Sequence, residues 1–234
     1  MCEKMLLCFF VLIALPYIIA ALWSAHIDRV YRGYLGIESR LNTNANELVE
    51  RAAREAGFVL EVVSLERQTR PKLTDYYDSG TVYLSHYNYL SNNVVALSVA
   101  AHEFGHAFQD FTADTGFVVR TSLLAQPTLG FAIGLIVILI GWMNDLTWVT
   151  AMGAVIWGIA LVVDINTLKN EHDASRIARE LLETRGMPQE ELALCDHILR
   201  ICGQSYLVGI FRHMVAAIVV IIVVACLACE TKKK

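Results

Sequence analysis

The sequence predicts a mainly α-helical membrane protein, with four transmembrane helices carrying a small α+β part. Three observations lead there. Of the 234 residues, 56% are hydrophobic and the mean hydropathy is +0.47, too apolar for an ordinary soluble domain. Four apolar runs carry no charge and approach or reach the length that crosses a bilayer. The segments between them show helical and strand patterning, as a compact polar part would.

The first run, "MLLCFFVLIALPYIIAALW", fills residues 5–23. It follows Lys4 and ends on Trp23 without a small-x-small cleavage site, so it reads as an anchor rather than a removed leader. Pro16 is expected to kink it. Residues 24–122 then form the first polar part. "NTNANELVERAAREAGF" places Leu48, Ala52 and Ala56 on one helical stripe and stops at Gly57. "FVLEVVSLE" is β-rich, and "KLTDYYDSGTVYLS" reads as two short strands around Asp78-Ser79-Gly80. A helix starting near Asn92 carries "VVALSVAAHEFGHAFQDF". Residues 123–163 form a tight hairpin of two spans parted by Asn144 and Asp145, with Trp142 and Trp148 at the interface. Residues 164–212 supply two amphipathic helices, "NEHDASRIARELLETRG" and "PQEELALCDHILRICGQSYL", separated near Gly186-Met187-Pro188. The fourth span lies at residues 213–229, ahead of Lys232 to Lys234.

Four spans place both termini and the Asn144–Asp145 turn on one side, and residues 24–122 and 166–212 on the other. Of 19 Lys and Arg residues, 15 fall on that second side and four (Lys4, Lys232 to Lys234) on the first. The count favours a cytoplasmic polar face for this multi-pass membrane protein, although the terminal Lys run pulls the other way. The lipid bilayer is thus an expected partner. A net charge of -4 and the lack of a basic stripe argue against nucleic acid. The six cysteines form no metal-ligand framework; Cys195 and Cys202, seven apart on one helix face, read as small buried thiols.

Within "SVAAHEFGHAFQDF", His102 and His106 lie one helical turn apart, so both imidazoles point the same way. That spacing fits two positions of a tetrahedral zinc. Glu103 is placed to act as general base on a metal-bound water, and Gly105 leaves room for a close neighbour. The flanking sequence makes this a buried helix, where two histidines and a glutamate need a polar partner. A third ligand should come from "KNEHDASR", which offers Glu171, His172 and Asp173. Glu171 shares a face with the small residues Ser175 and Ala178, which favours it. Asp173 points elsewhere, to orient a histidine or to bond Arg176.

The combination of "LTDYYDSGTVYLS", "VAAHEFGHAFQ", an apolar hairpin and "EHDASRIA" resembles the YugP-like family of membrane zinc metallopeptidases, related in plan to the HtpX-type gluzincins. The resemblance covers nearly the whole chain. It implies a zincin-like catalytic part binding one Zn2+, with His102, His106 and Glu171 as ligands and Glu103 as base. HtpX-type enzymes have an aspartate four residues after the ligand glutamate, where this chain has Ser175. The contact made by that aspartate must come from elsewhere, with Asp173 a candidate.

The expected reaction is hydrolysis of a protein or peptide substrate, membrane-associated substrates included. Oxyanion donors are to be sought among Tyr76, Tyr77, His86, His172 and Arg176, and "GTVYLS" is a candidate edge strand for an extended peptide. Two other readings compete. In an intramembrane site-2-type protease the histidines would lie inside a spanning helix; the polar Gln109, Asp110 and Asp114 speak for the membrane surface instead. A non-catalytic, chaperone-like scaffold with structural zinc would have no use for Glu103.

Overall fold

The computed structural model describes residues 2–66, 74–112 and 127–231, with side chains from Tyr17 onward except at 127–128, 205, 212–213 and 216–231. The start of the expected hairpin at 123–126 and the Lys232–Lys234 run lie outside these. The chain divides into two compact units. One comprises Met1–Ala25, Ser122–Ile165 and Tyr206–Lys234, the other His26–Thr121 and Asn166–Ser205. The elements in chain order are α1 (Cys2–Tyr34), α2 (Ala45–Ala56), β1 (Glu61–Ser64), β2 (Tyr76–Asp78), β3 (Thr81–Leu84), α3 (His86–Tyr89), α4 (Val94–Phe111), α5 (Pro127–Met143), α6 (Thr147–Thr184) and α7 (Gln189–Thr231).

The second unit is built around α4. Asn93 caps its start, its side chain accepting from the Ala96 N–H, an arrangement worth about 1 kcal/mol. Every residue from Val94 to Ala107 is buried, so the helix is enclosed on all sides, as expected for a run apolar all round. One face joins Ala45, Val49, Ala52 and Ala53 of α2 with Val62, Val82 and Leu84 of the strands. The other joins Ala178 and Leu182 of α6 with Leu192, Cys195, Ile198 and Leu199 of α7. Helix α2 runs from the Asn44 cap to Gly57, whose φ of 85° closes it in the left-handed region. Cys195 and Cys202 are buried and form no disulfide among the described residues.

The three strands lie in the order β1-β3-β2. β3 pairs parallel with β1 and antiparallel with β2, and Ser79 and Gly80, both at positive φ, make the two-residue turn of the β2–β3 hairpin. This corrects one expectation: "GTVYLS" is the central strand, both of its edges already paired, and the outer strands among the described residues are β1 and β2. The next strand after β1 in the chain, β2, lies on the far side of β3, and β3 takes the place between them, a choice no local pattern encodes.

In the first unit, α5 and α6 form a hairpin turned at Asp145, with φ of 55° and the Leu146 N–H bonded to Gly141 O at 2.8 Å. Small residues let the two backbones touch. A Cβ on Gly141 would lie 2.4 Å from Thr150 N, one on Gly134 2.8 Å from Trp157 N, and one on Gly130 2.8 Å from the Ala160 Cβ. The outer faces expose Ile133, Ile136, Ile140, Met152, Val155, Ile159 and Val162, a coat suited to hydrocarbon rather than water.

Among the described residues, one helix is long and apolar enough to cross a membrane, Thr147–Thr184; Leu129–Met143 is a shorter apolar helix. Only 17% of the apolar window of Thr147–Thr184 is buried within the protein, which sets it apart from the core helix of a soluble domain. The four-span plan is therefore carried by the sequence, with one clear spanning candidate in the structure. A second difference concerns continuity. The third apolar run and "NEHDASRIARELLETRG" are one 38-residue helix, and the last amphipathic segment continues into the fourth run as one 43-residue helix. No proline interrupts either, so the backbone ladder continues where the polarity changes.

Candidate metal centre

Helices α4 and α6 meet at Gly105 and Ala174. A Cβ on Gly105 would stand 2.5 Å from the Ala174 carbonyl oxygen and 2.9 Å from its Cα, so this contact needs glycine. On one side of it, α4 presents His102 and His106; α6 presents Glu171, three residues before Ala174. His102 Nε2 lies 3.1 Å and His106 Nε2 3.3 Å from the same atom, Glu171 Oε2. The three potential ligand atoms fall within 4.8 Å of one another, and all three residues are buried. The rings stand nearly perpendicular, at 82° with centroids 4.8 Å apart. Burial alone would raise the Glu171 pKa, but hydrogen bonding and charge from His102 and His106 outweigh it and hold the carboxyl well below the usual carboxylate range. A group that is ionised while buried needs positive partners, and a divalent cation at the convergence point would be one. Two imidazoles and a carboxylate make the His2Glu donor set of open, catalytic zinc sites, leaving a fourth position for water or substrate.

The outward nitrogens of both histidines are also engaged. His102 Nδ1 lies 3.2 Å from Ser175 Oγ, and His106 Nδ1 lies 3.1 Å from Gln109 Oε1. One of these two groups stands at the position where HtpX-type enzymes carry an aspartate. The structure places Ser175 itself there, whereas Asp173 faces Arg176, its Oδ1 3.7 Å from Arg176 Nε.

Glu103 is buried beside His102, and among the described residues its carboxyl has no hydrogen-bond partner. Its charge reaches Asp75, a residue that sequence reasoning missed. Asp75 Oδ1 accepts the Ser85 N–H at 2.6 Å and Oδ2 accepts from Asn88 Nδ2 at 3.0 Å, while Tyr31 donates to Asn88 Oδ1 at 3.3 Å. Burial, with repulsion from Glu103 added, pushes the Asp75 carboxyl up to about 6, against the two hydrogen bonds. An aspartate beside a strand reads in sequence as a solvated turn residue; only packing turns it inward. Cys202 is close enough to feel Glu103, Glu171 and Asp75, and burial first, then these charges, pushes its thiol up.

The remaining candidates are not drawn into this cluster. His172 and Arg176 are exposed, and Arg176 also pairs with Glu180 at 3.0 Å. Tyr77 donates to Asp110 Oδ2 at 2.5 Å and accepts from the Gly80 N–H at 2.8 Å, which ties the β2–β3 turn to the end of α4. Tyr76 stacks on Tyr83 with centroids 4.6 Å apart, and His86 is exposed against Tyr87.

Comparison with known proteins bears on the same residues. A curated relative, the "Putative membrane protease YugP" of Bacillus subtilis (strain 168), is 31% identical over 121 residues, 50% of this chain and 53% of that protein. The chain thus spans about half the length of the curated relative it matches. No solved structure matches. The family model described as "Putative neutral zinc metallopeptidase" matches residues 9–225, a stretch holding α2 to α6 whole and every residue of the cluster. With so little of the chain outside the match, the protein is a YugP-like member of the neutral zinc metallopeptidase family.

Proposed function

We propose that the protein is a membrane-embedded zinc metalloendopeptidase, holding one zinc ion through His102, His106 and Glu171 and using Glu103 as general base. The observation that carries this is the convergence of both Nε2 atoms on Glu171 Oε2, in a buried site with the buried Glu103 next to it in sequence. Zinc, when bound, supplies Lewis-acid chemistry that acidifies water and polarises a carbonyl. Glu171 and the two histidines would hold the ion. Glu103 takes a proton on its carboxylate from the attacking water and returns it to the leaving amine nitrogen. Burial of the site strengthens each of these interactions by excluding bulk water.

The site belongs to the unit with the sheet and the enclosed α4, not to the unit with the apolar hairpin. This supports hydrolysis outside the hydrocarbon over the site-2-type alternative. The lipid-suited coat of α5 and α6, with the name of the Bacillus relative, supports membrane embedding. The test is Glu103→Gln in detergent-purified full-length protein, with zinc content and casein cleavage measured side by side and a chelator control. Zinc should be retained and hydrolysis should slow by ~10²–10⁴-fold, as for a lost general base. Equal cleavage by the variant would refute the mechanism, and zinc without cleavage in the wild type would favour the scaffold reading.

A further inference from the structure

From the bonds of its side-chain amide we infer that Gln109 is a positioning residue for the metal centre, fixing His106 in the tautomer and orientation that present Nε2 to the ion. This rests on the proposed zinc site but concerns a residue outside the ligand set. Gln109 is buried on α4, three residues after His106. Its Oε1 lies 3.1 Å from His106 Nδ1, and its Nε2 donates to the Asn170 carbonyl oxygen at 2.9 Å. An amide has one accepting and one donating end. A backbone carbonyl only accepts, so the Asn170 contact assigns the nitrogen to that side. The oxygen must then face His106, and it accepts there only if Nδ1 carries the proton. The lone pair is thereby left on Nε2, the atom that points at Glu171.

The contact at the other histidine has no such effect. Ser175 Oγ, 3.2 Å from His102 Nδ1, is a hydroxyl that donates or accepts with equal ease and imposes no tautomer. Gln109 also bonds to the residue just before Glu171, so one side chain links the helix of the two histidines to the helix of the carboxylate. Groups bonded to the far nitrogen of a ligating histidine set ring orientation and basicity.

The test is zinc affinity of the full-length protein in detergent, by competition with a chelating indicator, together with the visible spectrum of the cobalt-loaded form. Gln109→Met keeps the length but offers His106 no comparable acceptor. Gln109→Glu keeps the acceptor at His106, replaces the donor to Asn170 by an accepting oxygen and adds a negative charge. The expected result is a loss of ~10–100-fold in zinc affinity for Gln109→Met with an altered cobalt spectrum, and retention within a few-fold for Gln109→Glu. Unfolding of the metal-free proteins serves as the control for a merely structural role, and Gln109→Ala replaces the Met variant should that one not fold. Wild-type affinity in the Met or Ala variant overturns the inference, as does an equal loss in the Glu variant. Wild-type protein without zinc affinity would instead overturn the metal-site reading and this inference with it.

Discussion

Replacing Gly105 by alanine tests whether the α4–α6 contact sets the metal site. The added Cβ would sit 2.5 Å from the Ala174 carbonyl oxygen, 2.9 Å from its Cα and 3.0 Å from its carbonyl carbon. These are backbone atoms, so no rotamer change relieves the clash. Non-bonded carbon settles at about 3.5 Å, and the helices must therefore separate locally by about 1 Å. Glu171 sits one turn from Ala174 and moves with it. Metal–ligand distances tolerate only about 0.2 Å, so the separation exceeds the tolerance several-fold. Overpacking costs about 1–3 kcal/mol, and alanine returns about 1 kcal/mol of helix propensity, so the fold should survive. Gly105→Ala should then retain wild-type helicity by circular dichroism, lose most of its zinc by elemental analysis of purified protein, and cleave about 10²-fold more slowly, as for a misplaced reacting group. Wild-type zinc content and activity in a folded Gly105→Ala protein would refute this reasoning.

Three further outcomes are expected. Glu171→Ala should strip zinc from purified protein while His172→Ala largely retains it, because His172 is exposed; wild-type zinc content in Glu171→Ala would remove Glu171 from the ligand set. Asp75 has a folded pKa of about 6 against an ordinary 3.8, so its neutral form stabilises the fold below about pH 4, and that contribution is lost as pH rises toward 6. Although the residue is half-buried overall, both of its carboxyl oxygens accept from N–H donors of the buried Ser85 and Asn88, so Asp75→Asn removes the titration but turns an amide N–H toward one of those donors at every pH. Between pH 4 and pH 7.5 the stability of the variant relative to wild type should therefore rise, by at most about 3 kcal/mol for a two-unit shift, and chemical denaturation at the two pH values showing a constant difference would exclude the effect. For topology, cysteines introduced at Ser64 and Thr184 should label from one side of the membrane and one at Thr231 from the other; labelling of Ser64 and Thr184 from opposite sides would rule out a composite site of His102, His106 and Glu171.

Much of the local structure was written in short-range signals. Asn44 and Gly57 mark the ends of α2, Asn93 caps α4, and Ser79-Gly80 turns the β2–β3 hairpin. The four-residue spacing of His102 and His106 and the small-residue face of Glu171, Ser175 and Ala178 follow from helical periodicity alone. Such features depend on neighbours a few residues away, and one sequence carries that information directly.

Other features depended on what lies across the fold. Two amphipathic segments merge with apolar runs into α6 and α7, because a change of polarity is not a helix stop and only Gly186-Met187-Pro188 supplies one between them. β3 became the central strand because β2, which follows β1 in the chain, lies on its far side. Asp75 and Gln109 look in sequence like an exposed turn acid and a polar helix residue. Ser85, Asn88, His106 and Asn170 bury them in hydrogen bonds spanning 3 to 61 residues of chain. By itself, then, the sequence determined the ends of α2, the start of α4, the β2–β3 turn and the residue types able to hold a metal, since each rests on local signals. Tertiary structure alone decided that Ser175 and Gln109 face the histidines and that Asp75 turns inward to Ser85 and Asn88, since hydrogen-bond partners are selected by packing.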